Sequence, residues 1–248
     1  MPAPFLSVII PAYNEEKRLP GAFEQLFSFL QGQAYSSEVI LVENGSQDRT
    51  LQIAQSYAER FPQLRVFQNQ QRGKGLAVQR GMLEAQGEYR FMCDADFSMP
   101  VIEINRFLPP VLEDYDIAIA SREAPGATRI HEPYYRHFIG RSYNLLIRLL
   151  ALPGLNDTQC GFKCFRAAVA EDLFRRQTLP GWAFDVEVLF IGRRFGMRIV
   201  EVPIDWYYNP DSKIRVVQDS LKMGADLLKM RYNALRGVYN GKVAPKPN

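Results

Sequence analysis

Apolar residues fall in two rhythms along the chain. Short unbroken runs occur at residues 5–10 (Phe-Leu-Ser-Val-Ile-Ile) and within 38–42 (Glu-Val-Ile-Leu-Val), and each stops abruptly at a polar cluster. Between them, Leu19, Phe23, Leu26, Phe27 and Leu30 recur at helical spacing. The runs predict buried strands and the spaced set predicts an amphipathic helix. The alternation continues with a helix through Ile53, Ala54, Tyr57 and Ala58, a short strand at 64–67, and a helix through Leu76, Val78, Met82 and Leu83, closed by Gly87. A strand at 91–93 then ends in Asp94-Ala95-Asp96. Strands alternating with helices of this length predict βαβ units, an α/β fold and a mostly parallel, Rossmann-like sheet.

Capping residues sharpen the boundaries. Asn14 suits the cap of the first helix, and Ser46 or Asp48 the cap of the second, with Gly45 in the turn before it. The second half is less regular. Residues 101–115 read as a helical segment interrupted by Pro109-Pro110, 116–121 as a strand and 123–131 as a loop. Residues 134–152 read as a helix carrying Arg136, Arg141 and Arg148, and 156–163 as a polar knot between that helix and the next. A further helix opens at Trp182-Ala-Phe-Asp185-Val-Glu187. Residues 197–203 predict an edge strand, because Pro203 has no amide proton for a central ladder. Val217, Leu221, Leu228, Leu235 and Val238 give a last helix an apolar face, and the Pro-rich tail after Lys242 is expected to be disordered.

Composition narrows the class. With 248 residues and 47% hydrophobic content the chain can bury a sizeable core. A net charge of +3 lacks the concentrated basic face that a nucleic-acid partner requires. The three cysteines, Cys93, Cys160 and Cys164, are an odd number without zinc-ligand spacing, which suits packing roles in a reducing compartment. The N-terminus has no basic region followed by an apolar one, so no signal peptide is expected. The most apolar stretch, 143–155, falls short of the roughly 18 residues that a membrane span needs and is broken by Arg148 and Pro153.

The candidate chemistry gathers at strand ends. Asp94 and Asp96 stand at i and i+2, so a straight strand end would point both carboxylates one way. Alone, such a pair also reads as a polar strand exit; a hard divalent cation holding a diphosphate is the functional alternative. The clusters 11–15, 43–48 and 94–96, with Arg72 and Lys74, all follow predicted strands and converge on one rim of a doubly wound sheet. Arg72-Gly-Lys74-Gly at a helix start offers amides and positive charge to phosphate. It is neither a P-loop nor a dinucleotide turn. His131 and His137 are too few for a metal or base cluster, and no Gly-x-Ser-x-Gly elbow occurs. Trp182 fits either the core or a pocket bordered by Asp185 and Glu187.

Val8-Ile-Ile-Pro-Ala-Tyr-Asn-Glu15, Glu43-Asn-Gly-Ser46, Arg72-Gly-Lys-Gly75 and Asp94-Ala-Asp96 resemble the inverting family 2 glycosyltransferases of GT-A fold. Asp157-Thr-Gln-Cys-Gly-Phe-Lys163, Trp182-Ala-Phe-Asp-Val-Glu187 and Ser212-Lys213 narrow the resemblance to the branch that glucosylates dolichyl-type (polyprenyl) phosphates. The resemblance spans nearly the whole chain. It implies one glycosyltransferase domain over 1–242, with a nucleotide-sugar half (1–122), an acceptor half (123–242) and a disordered tail at 243–248. A UDP-sugar donor would meet Pro11, Tyr13, Glu15 and Glu43 at its nucleoside. Arg72, Lys74, Asp94, Ala95 and Asp96 would stand by its diphosphate. Asp94 and Asp96 would hold Mg2+ or Mn2+, Asp96 more directly, and Trp182 and Asp185 would border the sugar. Arg122, Arg136 and Arg141 would meet the acceptor phosphate.

A phosphate acceptor arrives as an anion and needs positioning more than deprotonation. The rival acceptor, a saccharide hydroxyl, needs a base, which Asp157 or Asp185 could supply. GDP-mannose is the rival donor, and a non-catalytic nucleotide-sugar-binding scaffold is the rival from outside enzymology. Two departures from the family pattern stand out: Glu43-Asn44 replaces the usual Asp-Asp, and Ser98 stands where related mannosyltransferases offer Gln. A lipid acceptor also implies peripheral binding at the cytoplasmic face of a membrane. Residues 134–152 and the basic set Lys213, Arg215, Lys222, Lys229, Arg231, Arg236 and Lys242 are the candidate contacts.

Overall fold

The computed structural model describes residues 3–208 and 216–241; of 135–139, 142–143 and 216–221 it describes the backbone alone. Ser212, Lys213, Arg215 and the tail from Lys242 therefore lie outside the described residues. The strands are β1 (Leu6–Ala12), β2 (Ser37–Glu43), β3 (Leu64–Gln68), β4 (Tyr89–Met92), β5 (Ile117–Ser121), β6 (Thr128–Ile130), β7 (Lys163–Arg166), β8 (Ile199–Pro203) and β9 (Asp205–Tyr207). The helices are α1 (Leu19–Gln31), α2 (Thr50–Arg60), α3 (Lys74–Glu84), α4 (Tyr134–Leu150), α5 (Ala167–Arg176), α6 (Phe184–Arg194) and α7 (Val216–Leu235).

A seven-stranded sheet has the order β3-β2-β1-β4-β7-β5-β8. The pairs β1·β2, β1·β4, β2·β3 and β5·β8 are parallel, and β7 is inserted antiparallel between β4 and β5. Successive side chains of a strand face opposite ways. Ile9 and Met92 thus join a core under α3, α5, α6 and α7, while Val8, Ile10 and Phe91 join a second core under α1 and α2. Covering both faces is what makes β1 and β2 continuously apolar.

Four local expectations are corrected. The stretch 156–163 runs into strand β7, whose Lys-Cys-Phe-Arg has no apolar run to signal it. The loop 123–131 contains β6, which pairs in parallel with β9 to make a second, two-stranded sheet. Asn14 does not cap α1, which begins at Leu19; Asn14 lies at φ 51° and its Oδ1 accepts from Gln47 N at 2.8 Å. The helical segment after Asp96 is a 3-10 turn, Val101–Phe107, which ends before Pro109-Pro110. The edge position of β8 is as expected, with Pro203 at its last rung against Ser121.

β7 also carries a cation into the core. Lys163 is 1% exposed, its Nζ donates to Cys160 O and lies 2.7 Å from Asp185 Oδ1 of α6. Removing one partner of a buried ion pair strands the other charge. Lys163→Met is expected to lose about 3–5 kcal/mol in urea unfolding, and adding Asp185→Leu should return most of it. A loss below about 1 kcal/mol, the range of a surface pair, would contradict this pairing.

Candidate active site

The site forms where the carboxyl ends of β1, β2 and β4 meet the start of α3. Side chains knit the first two loops together. Asn44 N donates to Ala12 O (2.9 Å), Asn14 N to Ser46 Oγ (3.0 Å), and Glu15 N to Thr50 Oγ1 (2.7 Å). Gly45 takes the turn at φ 77°, a conformation that glycine adopts without strain. Asn44 Oδ1 accepts from Gly73 N at 2.9 Å and so joins the β2 loop to the start of α3. Glu43 is 1% exposed. Its Oε1 accepts from Ser46 N, while its buried Oε2 has no hydrogen-bond partner among the described residues.

Cations from the Arg72–Lys74 segment cross this rim. The Arg72 guanidinium lies 3.8 Å from the centre of the Tyr13 ring. Lys74 Nζ is 2.7 Å from Asp94 Oδ1 and 4.9 Å from the Trp182 ring. Burial works against the Lys74 charge, but the Asp94 and Asp185 carboxylates outweigh it and the pKa is raised. Burial, then repulsion from Asp94, also raises Asp96, although Ser98 N donates to its Oδ1 (3.1 Å) and Lys74 and Arg18 pull the other way. Asp185 is raised by burial and drawn back by Lys163 and Lys74. Ala95 is buried between the two acids. Gly161 lies flat against Asp94, where a Cβ would stand 2.1 Å from Oδ2.

A second cluster sits beside β5. Arg122 grips Asp157 with Nε (2.6 Å) and Nη2 (2.9 Å), and its backbone N donates to the same carboxylate (3.0 Å). Asp157 is fully buried, which alone would raise it, yet Arg122 holds it down at about 2. Glu201 accepts from Asn156 N and Asp157 N, which fixes the segment that carries Asp157. Arg129 of β6 lies between Glu123 and Glu132, and Arg122 and Arg129 both approach the Trp206 ring of β9, at 5.3 and 5.8 Å. Tyr207 N donates to Ser98 O (2.7 Å), tying the small sheet to the acidic turn.

The structure thus brings Tyr13, Arg72, Lys74, Asp94, Asp96 and Trp182 to one rim, with Pro11 and Glu43 at the ends of β1 and β2 and Glu15 in the loop after β1. It sets Arg122 and Asp157 apart as a locked pair. Arg141 is exposed on α4; Arg136 lies on the same helix, with its side chain outside the described residues. Lys163, Gly161, Arg129 and Trp206 had no site role in the sequence reading; Gly161 and Lys163 entered it only as members of the 157–163 motif.

The donor set suits a hard divalent cation with an incomplete protein shell. Among the described residues no three His, Cys, Asp or Glu side chains converge as a metal cage. Two neighbouring carboxylates remain, Asp94 paired with Lys74 and Asp96 beside it, and Mg2+ is commonly held by one or two carboxylates with substrate phosphates completing the shell. Asp94 and Asp96 fit that arrangement.

The chain belongs to glycosyl transferase family 2, whose description matches residues 7–174. It is a glycosyltransferase of GT-A fold. A dolichyl-phosphate beta-glucosyltransferase of Dictyostelium discoideum is 32% identical over 96% of this chain and 77% of its own length. The human protein of that name is 33% identical over 100% and 81%, and the Drosophila melanogaster one 35% over 94% and 76%. In fold, the chain is similar to glucosyl-3-phosphoglycerate synthase from Mycobacterium tuberculosis, solved in complex with Mn2+ and UDP-glucose, with TM-score 0.67 and 16% identity over 92% of this chain and 79% of that one.

The Asp157 pairing has a pH signature. Its folded pKa, about 2, lies below the ordinary 3.8, so its contribution is fully present above about pH 4 and is lost as pH falls through 2. Between pH 5 and pH 2 the wild-type protein should lose about 2 kcal/mol more than Asp157→Asn in urea unfolding. Identical pH dependence in the two proteins would contradict the pairing.

Proposed function

We propose that the protein transfers glucose from UDP-glucose to a dolichyl-type polyprenyl phosphate, inverting the sugar's α linkage to β. The observation that carries this reading is the state of the two acids a hydroxyl acceptor would need as base. Asp157 is gripped by Arg122, and Asp185 lies against Lys163. Asp157 is committed to that pair and held ionised, and the Lys163 and Lys74 ammoniums beside Asp185 oppose its taking a proton, although burial favours it. An acceptor phosphate needs no base, because its attacking oxygen is already an anion at neutral pH. The shared name of relatives aligned over nearly the whole chain supports both the sugar and the lipid.

On this reading the uracil ring enters beside Tyr13 and Pro11, and the partnerless Oε2 of Glu43 accepts its imide proton. Arg72 and Lys74 meet the diphosphate, with Lys74 leaving Asp94 for the phosphate oxygens. Asp94 and Asp96 hold Mg2+ or Mn2+, which when bound neutralises charge on the leaving diphosphate. Trp182 borders the glucose. The acceptor oxygen attacks the anomeric carbon from the face opposite UDP. The bond to UDP breaks, its electron pair remains on the β-phosphate oxygen, and Lys74 stabilises that charge. Arg122 offers Nη1 to the acceptor phosphate while Nε and Nη2 stay on Asp157, and Arg136 and Arg141 complete the cationic side, for which arginine's planar fork is suited.

The acceptor lies in a bilayer, and among the described residues no helix is long and apolar enough to cross one. On this reading the protein docks on the cytoplasmic face of the membrane through α4 and α7, which touch each other. α4 exposes Leu145, Leu146, Leu149 and Leu150, and α7 exposes Leu228, Tyr232 and Leu235. Arg141, Arg148, Lys229, Arg231 and Arg236 are exposed on or next to the same helices, as anionic headgroups require.

Two measurements test the proposal. Purified protein with Mg2+ or Mn2+ should turn over UDP-glucose with dolichyl phosphate and leave GDP-mannose and saccharide acceptors unused. Asp96→Ala should abolish that transfer without altering the circular dichroism spectrum, and near-normal turnover would remove the metal assignment. In co-sedimentation, the protein should bind anionic liposomes at low salt and release at high salt. Failure to bind at low salt, with activity only on a water-soluble short-chain acceptor, would contradict membrane docking.

A further inference from the structure

Glu187 is a fully buried carboxylate with no cation paired to it among the described residues. Every hydrogen-bond partner it has among the described residues is a neutral donor. Its Oε2 accepts from the backbone N of Thr178 (3.0 Å) and of Leu179 (2.8 Å), and its Oε1 from Thr178 Oγ1 and from Tyr239 OH (2.7 Å). Burying a charge is costly unless it is well hydrogen-bonded, and here all the bonds converge on one short segment and one tyrosine.

That segment, 177–182, is a strap laid on the first turn of α3. Gly75 N donates to Pro180 O (2.9 Å), and Gln177 Nε2 donates to Gly75 O (3.0 Å) and to Leu179 O (2.9 Å). The contact is so close that a Cβ at position 73 would stand 2.4 Å from Pro180 O, and one at 75 would stand 2.6 Å from Leu179 O. The strap ends at Trp182, whose ring faces Lys74 Nζ. Its outer side is held from α7, where Asn233 Nδ2 donates to Thr178 Oγ1 (3.1 Å), and from the turn after it, where Tyr239, itself fully buried, reaches Glu187. Arg176 donates to the carbonyls of Tyr239 and Gly241 and so fixes the tyrosine in place.

We propose that Glu187 is a positioning residue for the donor site: with Tyr239 it clamps the 177–182 strap, and the strap fixes where Trp182 and the Lys74 ammonium stand. The proposal rests on the reading of Lys74 as a ligand of the donor diphosphate. It links the end of the C-terminal helix to the nucleotide rim through one carboxylate, without any contact between Glu187 and substrate.

The test compares Glu187→Gln, Tyr239→Phe and Lys74→Ala with the wild-type protein, measuring UDP affinity by calorimetry with metal present, donor KM, kcat and melting temperature. Glutamine keeps the shape of Glu187 but cannot accept two backbone amides on the side where it carries NH2. Glu187→Gln should weaken UDP binding and raise donor KM by roughly 5- to 30-fold, a part of the roughly 10- to 150-fold that a hydrogen bond to a charged acceptor is worth, and Tyr239→Phe by a smaller factor in the same direction. Acceptor KM should stay within about twofold of wild type, a shift below the contribution of one ordinary hydrogen bond. A lower melting temperature with unchanged UDP affinity and donor KM in both variants, while Lys74→Ala weakens UDP, would reduce Glu187 to a stabilising residue and overturn the proposal. Tyr239→Phe keeps this decisive if Glu187→Gln does not fold. Unchanged UDP affinity in Lys74→Ala would instead bring down the donor-site reading on which the proposal stands.

Discussion

Two carboxylates pressed together at the end of β4 set the terms for everything around them. Asp94 and Asp96 repel one another in a partly buried turn, and burial first, then that repulsion, raises Asp96. The fold answers with cations brought from distant parts of the chain. Lys74 arrives on α3, whose start is glycine-rich because the 177–182 strap lies against its backbone. Lys163 arrives on β7 and holds Asp185, which in turn draws on Lys74. The result is an alternating row of charge, Lys163, Asp185, Lys74, Asp94, running from the core to the rim. Such a row is stable without ligand and is poised to exchange one internal ammonium contact for a diphosphate and its cation. Gly161 keeps the row aligned by leaving Asp94 no neighbour to collide with.

The Arg122–Asp157 side, where the proposal places the acceptor, is built on the opposite logic. There the charges are closed into pairs rather than left to be shared. Asp157 is saturated by three bonds from Arg122, and Arg129 lies between Glu123 and Glu132. Trp206 packs beside both arginines and ties them to the small sheet, which reaches the acidic turn through Tyr207 and Ser98. A site with locked acids and oriented arginines is suited to an anionic acceptor. A site meant to deprotonate a hydroxyl would keep one carboxylate uncommitted.

Much of the first half was legible because β1, β2 and β4 are buried almost throughout and glycines mark the turns between elements, although neither Asn14 nor Ser46 or Asp48 is the N-cap of the helix that follows it. β1, β2, β4 and the opening of α3 at Lys74 fall within a residue or two of where the apolar runs and glycines place them. β7, β6 and β9 were not legible, since strands of three or four residues with Lys, Arg or Asp among them carry no periodicity. The convergence of Asp94, Asp96 and Lys74 followed from a general property of parallel sheets. The committed partners of Asp157 and Asp185 did not follow, because Arg122 and Lys163 meet them only through tertiary packing. Asn14 misled for a related reason: a residue with cap chemistry instead bridged two loops. Glu187 looked like one acid in a helix-opening motif, and nothing local marks it as the anchor of the strap.

The central claim is that the donor diphosphate and its cation assemble on Asp94, Asp96 and Lys74. A crystal structure with Mn2+ and UDP, read by anomalous scattering, tests it directly. The account predicts a manganese peak within ligand distance of Asp96 and of the diphosphate oxygens, with Lys74 Nζ moved from Asp94 to a phosphate. Manganese bound away from Asp96, or UDP bound with the Lys74–Asp94 pair intact and remote from it, would contradict the account.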